Sequence, residues 1–223
     1  PDNVRARHIL AALIGEQTQS APREFVESLF DEYAVRFDSH LLDHLSYSVP
    51  DMLSTAITVN QSGGGLGSVL DLGCGTGLMG AALRRQCGKL CGIDLSSSML
   101  DQARKKNIYD NLVQADIIEY LSEAALDFDY FVCADVFAYM GELSELFDLV
   151  KSRNKRHGRL AFSTEHGEKN KFFLEPSGRY SHSKRYIDEL CGKYEYRTLH
   201  FSTIDMRRDA SEFTIGGLYI LEF

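Results

Sequence analysis

The segment from residue 69 to residue 77, VLDLGCGTG, constrains the possible folds of this chain more than any other stretch. An apolar run typical of a buried strand carries Asp71 and is followed by glycines at positions 73, 75 and 77. Glycine lets the backbone turn sharply from a strand into a helix, and it lets a ligand approach main-chain atoms without meeting a Cβ atom. The segment therefore predicts a strand, a tight turn and a helix, with a nucleotide-like ligand at the turn.

Strand-like runs alternate with helical stretches after residue 67. The runs are SVLDLG, KLCGID, LVQAD, FDYFVCADV and GRLAFSTEH, followed near the end of the chain by YEYRTLHFSTI and EFTIGGLYILEF. This alternation indicates an α/β fold with a doubly wound, mostly parallel, seven-stranded, Rossmann-like sheet. The last two runs are separated by DMRRDAS, and we expect them to form an antiparallel edge hairpin.

Helical patterns fill the first sixty residues. The longest covers 22–50, with a break expected near Asp38, and the glycine-rich stretch NQSGGGLG then ends the helices. We expect an N-terminal helical cap or appendage over residues 1–60 and the ligand-binding domain over residues 61–223.

Composition narrows the range of partners. Of the 223 residues, 44% are hydrophobic and 25% charged, and the net charge of −8 would repel nucleic acid and anionic membranes. No apolar run approaches the roughly 18 residues of a membrane span, so we expect a cytoplasmic protein. The cysteine count is odd and no C-x-x-C pair occurs, which argues against a disulfide framework or a zinc ribbon.

Two interpretations of the glycine turn compete. Gly75, Gly77 and Gly80 form G-x-G-x-x-G, and Asp94 ends the next strand as a ribose ligand would, which is the pattern of an NAD-linked oxidoreductase. The other interpretation counts the glycines from Gly73, directly after the strand.

Charge favours the second interpretation. Successive strands end in or beside the aspartates Asp71, Asp94, Asp116 and Asp135. The carboxyl ends of parallel strands line the ligand crevice, so these carboxylates would repel a pyrophosphate, and no lysine or arginine lies in the turn to offset them. S-adenosylmethionine is a net cation and suits such a crevice better. The structural alternative is that some of these aspartates are helix caps or turn residues.

Four ordered segments, VLDLGCGTG, GIDLSSSMLDQAR, QADI and FVCADVFAYMGEL, resemble the motifs of class I S-adenosylmethionine-dependent methyltransferases. The resemblance covers about residues 25–223. It implies S-adenosylmethionine as cofactor and a small-molecule methyl acceptor. LFDEYAVRFDSHLLDHLSYSVPDML and PSGRYSHS most resemble the predicted methyltransferases associated with tetratricopeptide repeats. Because the chain opens at Pro1, we expect an upstream tetratricopeptide segment to be missing, with ARHILAALIGE as its end.

The resemblance also assigns cofactor contacts residue by residue. They are Asp71, Gly73, Gly75 and Gly77 for the methionine moiety, Asp94 for the ribose, Leu95, Met99, Asp116 and Ile117 for the adenine, Ala134, Asp135 and Tyr139 beneath the methionine and sulfonium, and Tyr33 and Phe37 as a cover. The two covering aromatic residues could equally be helix core.

Residues that could act on the acceptor follow the fifth strand, in STEHGEKNKFFLEPSGRYSHS. The candidates, in order, are His166, His182, Tyr180 and Arg179, of which Arg179 suits an acceptor carboxylate better than a proton. The alternative is that Ser181 or Ser183 caps the next helix while its neighbours face solvent.

Weaker features leave the main interpretation unchanged. His40 and His44 lie four residues apart, but the chain offers no convincing third ligand, so we expect no metal. The basic run KSRNKRHGR is expected to be a solvated helix end rather than an RNA site. A methyltransferase-like module that binds without catalysis stays an alternative to an enzyme.

Overall fold

A mostly parallel sheet with helices on both faces forms the centre of the computed structural model, which describes residues 3–61, 63–209 and 212–223. The strands are β1 (Gly67–Leu72), β2 (Cys87–Asp94), β3 (Asn111–Gln114), β4 (Tyr130–Cys133), β5 (Arg159–His166), β6 (Phe172–Leu174), β7 (Tyr180–His182), β8 (Arg197–Asp209) and β9 (Glu212–Glu222). The α-helices are α1 (Val4–Ile14), α2 (Arg23–Tyr33), α3 (Phe37–Ser39), α4 (Val49–Val59), α5 (Leu78–Leu83), α6 (Ser97–Lys106), α7 (Ile117–Glu123), α8 (Ser144–Arg153) and α9 (Lys184–Tyr194). Within the described ranges, no helix combines the length and apolar character that a membrane span requires.

The strand order confirms the predicted fold class. Strands β3, β2, β1, β4 and β5 lie side by side in parallel, β9 pairs antiparallel with β5, and β8 pairs antiparallel with β9. Two short strands were not expected. Strand β7 pairs in parallel with the end of β5, and β6 pairs antiparallel with β7, in the stretch after the fifth strand for which the sequence indicated no further strand.

The final hairpin is longer than the sequence indicated. Strand β8 continues to Asp209, so most of the expected connection DMRRDAS belongs to the strand; residues 210 and 211 lie outside the described ranges. A register shift between Asp205 and Arg207 marks a β-bulge. A bulge redirects the side chains that follow it, and here Arg207 comes to lie on the cavity side of the sheet.

Strand β5 divides its side chains between the two faces of the sheet. Leu160 and Phe162 join the apolar core beneath α8 and α9, whereas Ala161 joins the core beneath α4 and α5. Successive strand residues point to opposite faces, so Glu165 lies on the same side as Ala161, and His166 on the opposite side. The His166 ring lies 6.1 Å from that of Phe201, which packs against the core of Leu160 and Phe162.

The N-terminal helical run docks on the glycine turn and on α6. It changes type along its length, with a 3-10 turn at Ala34–Arg36, the short helix α3 and a π-helical turn at His40–His44. Asp31 accepts hydrogen bonds from the Ser96 hydroxyl and the Ser98 amide, and Asp38 pairs with Lys106 at 2.7 Å. These contacts place the first helices over the carboxyl ends of the strands.

Candidate functional site

A cavity of about 570 Å³ lies between the N-terminal helices and the carboxyl ends of the parallel strands. Its size falls within the range usual for small-molecule sites. Most of the residues predicted to contact a cofactor line it. They are Tyr33, Phe37, Gly73, Gly75, Asp94, Leu95, Met99, Asp116, Ile117, Ala134, Asp135 and Tyr139. The other two, Asp71 and Gly77, lie outside the lining.

The glycines of the turn serve different purposes. Gly75 has a φ of +53°, and a Cβ atom added there would meet nothing within 4 Å, so the turn presents bare backbone to open space. A Cβ atom at Gly80 would instead lie 2.2 Å from the Tyr109 hydroxyl oxygen. The last glycine of the G-x-G-x-x-G pattern therefore makes room for a protein side chain rather than for a dinucleotide.

Asp94 ties the end of β2 to the glycine turn. Its two carboxylate oxygens accept the Gly75 amide at 2.7 Å and the Ser96 amide at 2.8 Å. Burial raises the pKa of Asp94 to about 6, although these N–H groups favour the charged form. Each carboxylate oxygen can accept a further hydrogen bond, which leaves capacity for a pair of hydroxyl groups.

Asp71 lies beneath the turn, 1% exposed, and not on the cavity surface. The Tyr109 hydroxyl donates to its Oδ2 at 2.6 Å, while Oδ1 finds no hydrogen-bond partner among the described residues. Burial raises the pKa of Asp71 to about 7; the bond from Tyr109 lowers it and the nearby Asp94 raises it. An unsatisfied buried carboxylate next to bare backbone fits a cationic ligand such as the ammonium group of S-adenosylmethionine.

Asp116 caps a helix and lines the cavity as well. Its Oδ1 accepts the Ile118 amide at 2.8 Å and the Glu119 amide at 3.2 Å. The helix-cap alternative weighed from sequence is therefore correct for this aspartate. It does not exclude a ligand, because Asp116 also faces the cavity.

The fourth aspartate, Asp135, does not contribute to the cavity the free negative charge that the sequence had led us to expect. Asp135 accepts hydrogen bonds from Arg179 Nη2 at 2.9 Å and Arg207 Nη1 at 3.1 Å, and Glu165 accepts from both arginines. We call Asp135, Glu165, Arg179 and Arg207 the ion cluster; its formal charges sum to zero. Burial raises the pKa of Glu165, but the guanidinium groups outweigh it and hold that pKa below its usual range.

Sequence reasoning missed Arg207 because it fell in the expected hairpin loop. Strand β9 has eleven residues, and a hairpin partner of similar length would have to include Arg207. The length of the last strand-like run was therefore a signal that could have extended the prediction of β8 through Arg207. The glycine turn contains no basic residue in sequence, but a lysine from elsewhere in the chain contacts it in the fold. Lys106 reaches the Thr76 carbonyl at 2.8 Å from α6, although its charge is paired with Asp38.

Only one of the four residues proposed to act on the acceptor lines the cavity, and it is Arg179. Tyr180 is fully buried on β7, and its hydroxyl is 2.5 Å from the Thr18 hydroxyl. His182 is also fully buried; burial lowers its pKa to about 4, and its Nε2 lies 3.0 Å from the Gly141 carbonyl oxygen. His166 projects from the opposite face of the sheet.

Local structure explains the remaining features of that stretch. Ser183 caps α9 by accepting the Tyr186 amide at 3.1 Å, as the structural alternative predicted. Tyr180 and His182, which that alternative placed in solvent, are instead interior residues. Among the described residues, no group of three or more histidine, cysteine, aspartate or glutamate side chains is placed to hold a metal ion.

Comparison with known proteins finds similarity to methyltransferases in the middle of the chain. Residues 69–158 match the family model of a methyltransferase domain. Over 99 residues the chain is 31% identical to the ubiquinone biosynthesis O-methyltransferase of Coxiella burnetii, covering 43% of this chain and 42% of the relative. The corresponding enzyme of Xylella fastidiosa is 33% identical over 101 residues, covering 43% and 41%. The chain thus spans about two fifths of the length of these curated relatives.

Solved structures share the fold at low sequence identity. The magnesium protoporphyrin IX methyltransferase of Synechocystis, with bound SAM, superposes with a TM-score of 0.60 at 16% identity, covering 97% of this chain and 90% of that chain. An S-adenosylmethionine-dependent methyltransferase of Clostridium acetobutylicum gives a TM-score of 0.63 at 16% identity, covering 87% and 99%. Together with the family match, they show that residues 69–158 resemble a methyltransferase domain and that the chain has the fold of S-adenosylmethionine-dependent methyltransferases.

Proposed function

We propose that this protein transfers a methyl group from S-adenosylmethionine to a hydroxyl group of a small molecule held in the cavity. The observation that carries the proposal is the lining of that cavity. The glycine turn, Asp94 and Asp116 lie on one part of its wall, and Leu41, Leu45 and Tyr47 from the N-terminal region lie on another. One cavity thus offers a cofactor site and room for a second small molecule.

The cofactor would be held by backbone and carboxylate groups. Gly73 and Gly75 would pass beside the methionine moiety, Asp94 would accept the ribose hydroxyls, and Asp116 the adenine amino group. When bound, S-adenosylmethionine supplies an electrophilic methyl group. The chain's part is to align the acceptor with it and exclude water, which the covering residues Tyr33 and Phe37 would do.

The acceptor would present an uncharged face to the ion cluster. Arg179, favoured from sequence as a clamp for a carboxylate, directs its guanidinium at Asp135, Glu165 and the Tyr139 hydroxyl. A further anion would therefore meet guanidinium groups already neutralised by two carboxylates. The relatives from Coxiella burnetii and Xylella fastidiosa are O-methyltransferases, which supports a hydroxyl group as the site of methylation.

Binding measurements test the cofactor assignment against the oxidoreductase alternative. We expect S-adenosylhomocysteine to bind in calorimetric titrations and NADH not to bind. Asp94→Ala should weaken S-adenosylhomocysteine binding by about 1 to 3 kcal/mol, the usual cost of losing hydrogen bonds to a charged group. Asp101→Ala, which removes an exposed carboxylate from α6, should leave the affinity unchanged. Tight NADH binding, or equal affinities for both variants, would contradict the proposal.

A further inference from the structure

We propose that Tyr33 and His40 form a proton exit from the cavity, through which the acceptor hydroxyl loses its proton during methyl transfer. The inference rests on the proposed function, because it assumes a hydroxyl acceptor in the cavity. It assigns Tyr33 a role beyond covering the cofactor, and it gives His40 a role that neither the motifs nor the comparisons indicate.

The two side chains connect the cavity with solvent. Tyr33 lines the cavity, and its hydroxyl is hydrogen-bonded to Nδ1 of His40. The ring centroids lie 5.5 Å apart at an edge-on angle of 75°. His40 itself is exposed and lies outside the cavity lining. Imidazole is the side chain that most readily gains and loses a proton near neutral pH, so the pair suits proton transfer from the interior to water.

A π-helical turn begins at His40. The Leu45 amide donates to the His40 carbonyl at 3.2 Å, which is the five-residue spacing of a π-helix rather than the four-residue spacing of an α-helix. Such turns are rare and occur often at functional sites. Here the turn follows α3 directly, and the chain after it is anchored to β8, where the Arg208 amide donates to the Leu45 carbonyl at 2.7 Å.

Four of the five carboxylates that line the cavity already have partners in the protein, and the fifth is exposed. Asp94 accepts backbone amides at both oxygens, and Asp116 caps α7. Asp135 is held by two guanidinium groups, and Glu142 accepts the hydroxyls of a serine and a tyrosine. Glu145 lies in the exposed first turn of α8. Within the described residues, Tyr33 is the lining group whose hydroxyl is bonded directly to an exposed imidazole.

Methyl transfer to the hydroxyl group balances in protons and electrons. As the acceptor oxygen bonds to the methyl carbon, the carbon–sulfur bond breaks, its electron pair stays on sulfur, and the hydroxyl proton must leave. Tyr33 takes that proton while its own passes to His40 Nδ1, and His40 then releases the proton on Nε2 to water. No oxidant, reductant or metal is required.

The charges around the pair are compatible with this role. Burial raises the pKa of Tyr33. The Arg36 guanidinium, 5.9 Å from the Tyr33 ring, lowers this pKa, and the nearby Tyr139 raises it. The phenol therefore remains protonated near neutral pH and passes a proton on rather than storing a charge. The ring of His44 lies 5.6 Å from that of His40, beside the outer end of the path.

A chromophoric phenol tests the proton exit without turnover. The probe is 4-hydroxyacetophenone, an uncharged phenol whose absorbance changes on ionisation, added to the complex with S-adenosylhomocysteine. The variants are Tyr33→Phe, which keeps the ring over the cavity, and His40→Asn, which keeps a hydrogen-bond acceptor for Tyr33 but cannot take up a proton. We expect the ionisation midpoint of the bound probe to lie at least about one pH unit lower in the native protein than in either variant, since a proton that passes along the pair and rests on His40 leaves a cation that favours the ionised probe.

His44→Asn is the matched control, because it removes a neighbouring exposed imidazole from the same turn, and it should behave like the native protein. S-adenosylhomocysteine affinity should be equal in the native protein, His40→Asn and His44→Asn, and Tyr33→Phe should still bind S-adenosylhomocysteine, which verifies that each is folded and checks the proposed function separately. Equal ionisation midpoints in the native protein, Tyr33→Phe and His40→Asn would overturn the proton exit. Failure of the probe to bind the S-adenosylhomocysteine complex would overturn it too, by removing the phenolic acceptor on which it rests.

Discussion

Replacing Glu165 with alanine is expected to lower the free energy of unfolding by about 3 to 5 kcal/mol, the usual cost of breaking a buried ion pair. The side chains of Glu165 and Arg207 are each 10% exposed, and that of Arg179 is 22% exposed. Removing the carboxylate leaves two buried guanidinium groups to share Asp135. The loss arises mainly from that uncompensated charge rather than from the missing contact itself.

Urea denaturation followed by circular dichroism measures this change. Glu168→Ala serves as the control, because Glu168 is an exposed carboxylate three residues along, and its loss should change stability by less than about 0.5 kcal/mol. The double variant Glu165→Met/Arg207→Met removes one charge of each sign and should recover much of the stability lost in Glu165→Ala. A loss below about 1 kcal/mol in Glu165→Ala would show that the ion cluster is well solvated.

The ion cluster also sets the electrostatic character of the acceptor region. Four successive strand ends carry aspartates, yet the cavity is not uniformly acidic, because Asp135 is neutralised by residues that arrive from β8 and from the segment before β7. The acidic part is the neighbourhood of Asp94 and Asp116, beside the bare glycine turn. The cavity thus offers different surroundings to a cationic cofactor and to the uncharged acceptor that we propose.

Local sequence signals predicted the fold and many of the residues that line the cavity. In VLDLGCGTG the strand, the turn and the start of the helix are contiguous, so neighbouring residues determine the geometry. The alternation of strands and helices then determines that successive turns meet at one edge of the sheet. The positions of residues such as Asp94 and Asp116 at the cavity could therefore be predicted from the sequence alone.

Side-chain direction on β5 could not be predicted in the same way. Glu165 and His166 are adjacent, and a one-residue change of register exchanges their faces. The register is determined by pairing with β9, where Glu165 faces Gly216, about fifty residues further along the chain. Sequence reasoning favoured His166 on chemical grounds, whereas the structure places Glu165 on the cavity side of the sheet, where it is buried in the ion cluster.

Long-range strand pairing likewise determines the positions of the residues that the sequence analysis placed wrongly or overlooked. Tyr180 and His182 lie in a polar stretch that becomes the hairpin of β6 and β7 only because β7 extends the sheet beside the end of β5. Arg207 reaches the cavity through a bulge in β8. The contact between Tyr33 and His40 spans a 3-10 turn at Ala34–Arg36 and the short helix α3, and a single sequence gives no recognised signal for these changes of helix type.

Asp71→Asn is expected to stabilise the protein at pH 8 by about 2 to 4 kcal/mol and to have little effect near pH 4. The pKa of Asp71 rises from its ordinary 3.8 to about 7 in the folded protein, mainly through burial. A carboxyl group with a raised pKa binds its proton more tightly in the folded state, so stability is greatest at low pH and falls as the pH rises from about 4 to 7. A shift of about three pH units corresponds to about 4 kcal/mol.

Urea denaturation of native protein and Asp71→Asn at half-unit pH intervals from 4 to 8 provides the measurement. Asparagine keeps a carbonyl oxygen for the Tyr109 hydroxyl and carries no charge at any of these pH values. Asp94, whose pKa is also raised, to about 6, remains in both proteins, so the difference between them isolates Asp71. Asp101→Asn removes an equal charge from the exposed face of α6 and should show no such pH dependence. A constant difference between native protein and Asp71→Asn across this range would mean that Asp71 is ionised throughout, and hence that its Oδ1 is solvated or paired with a cation.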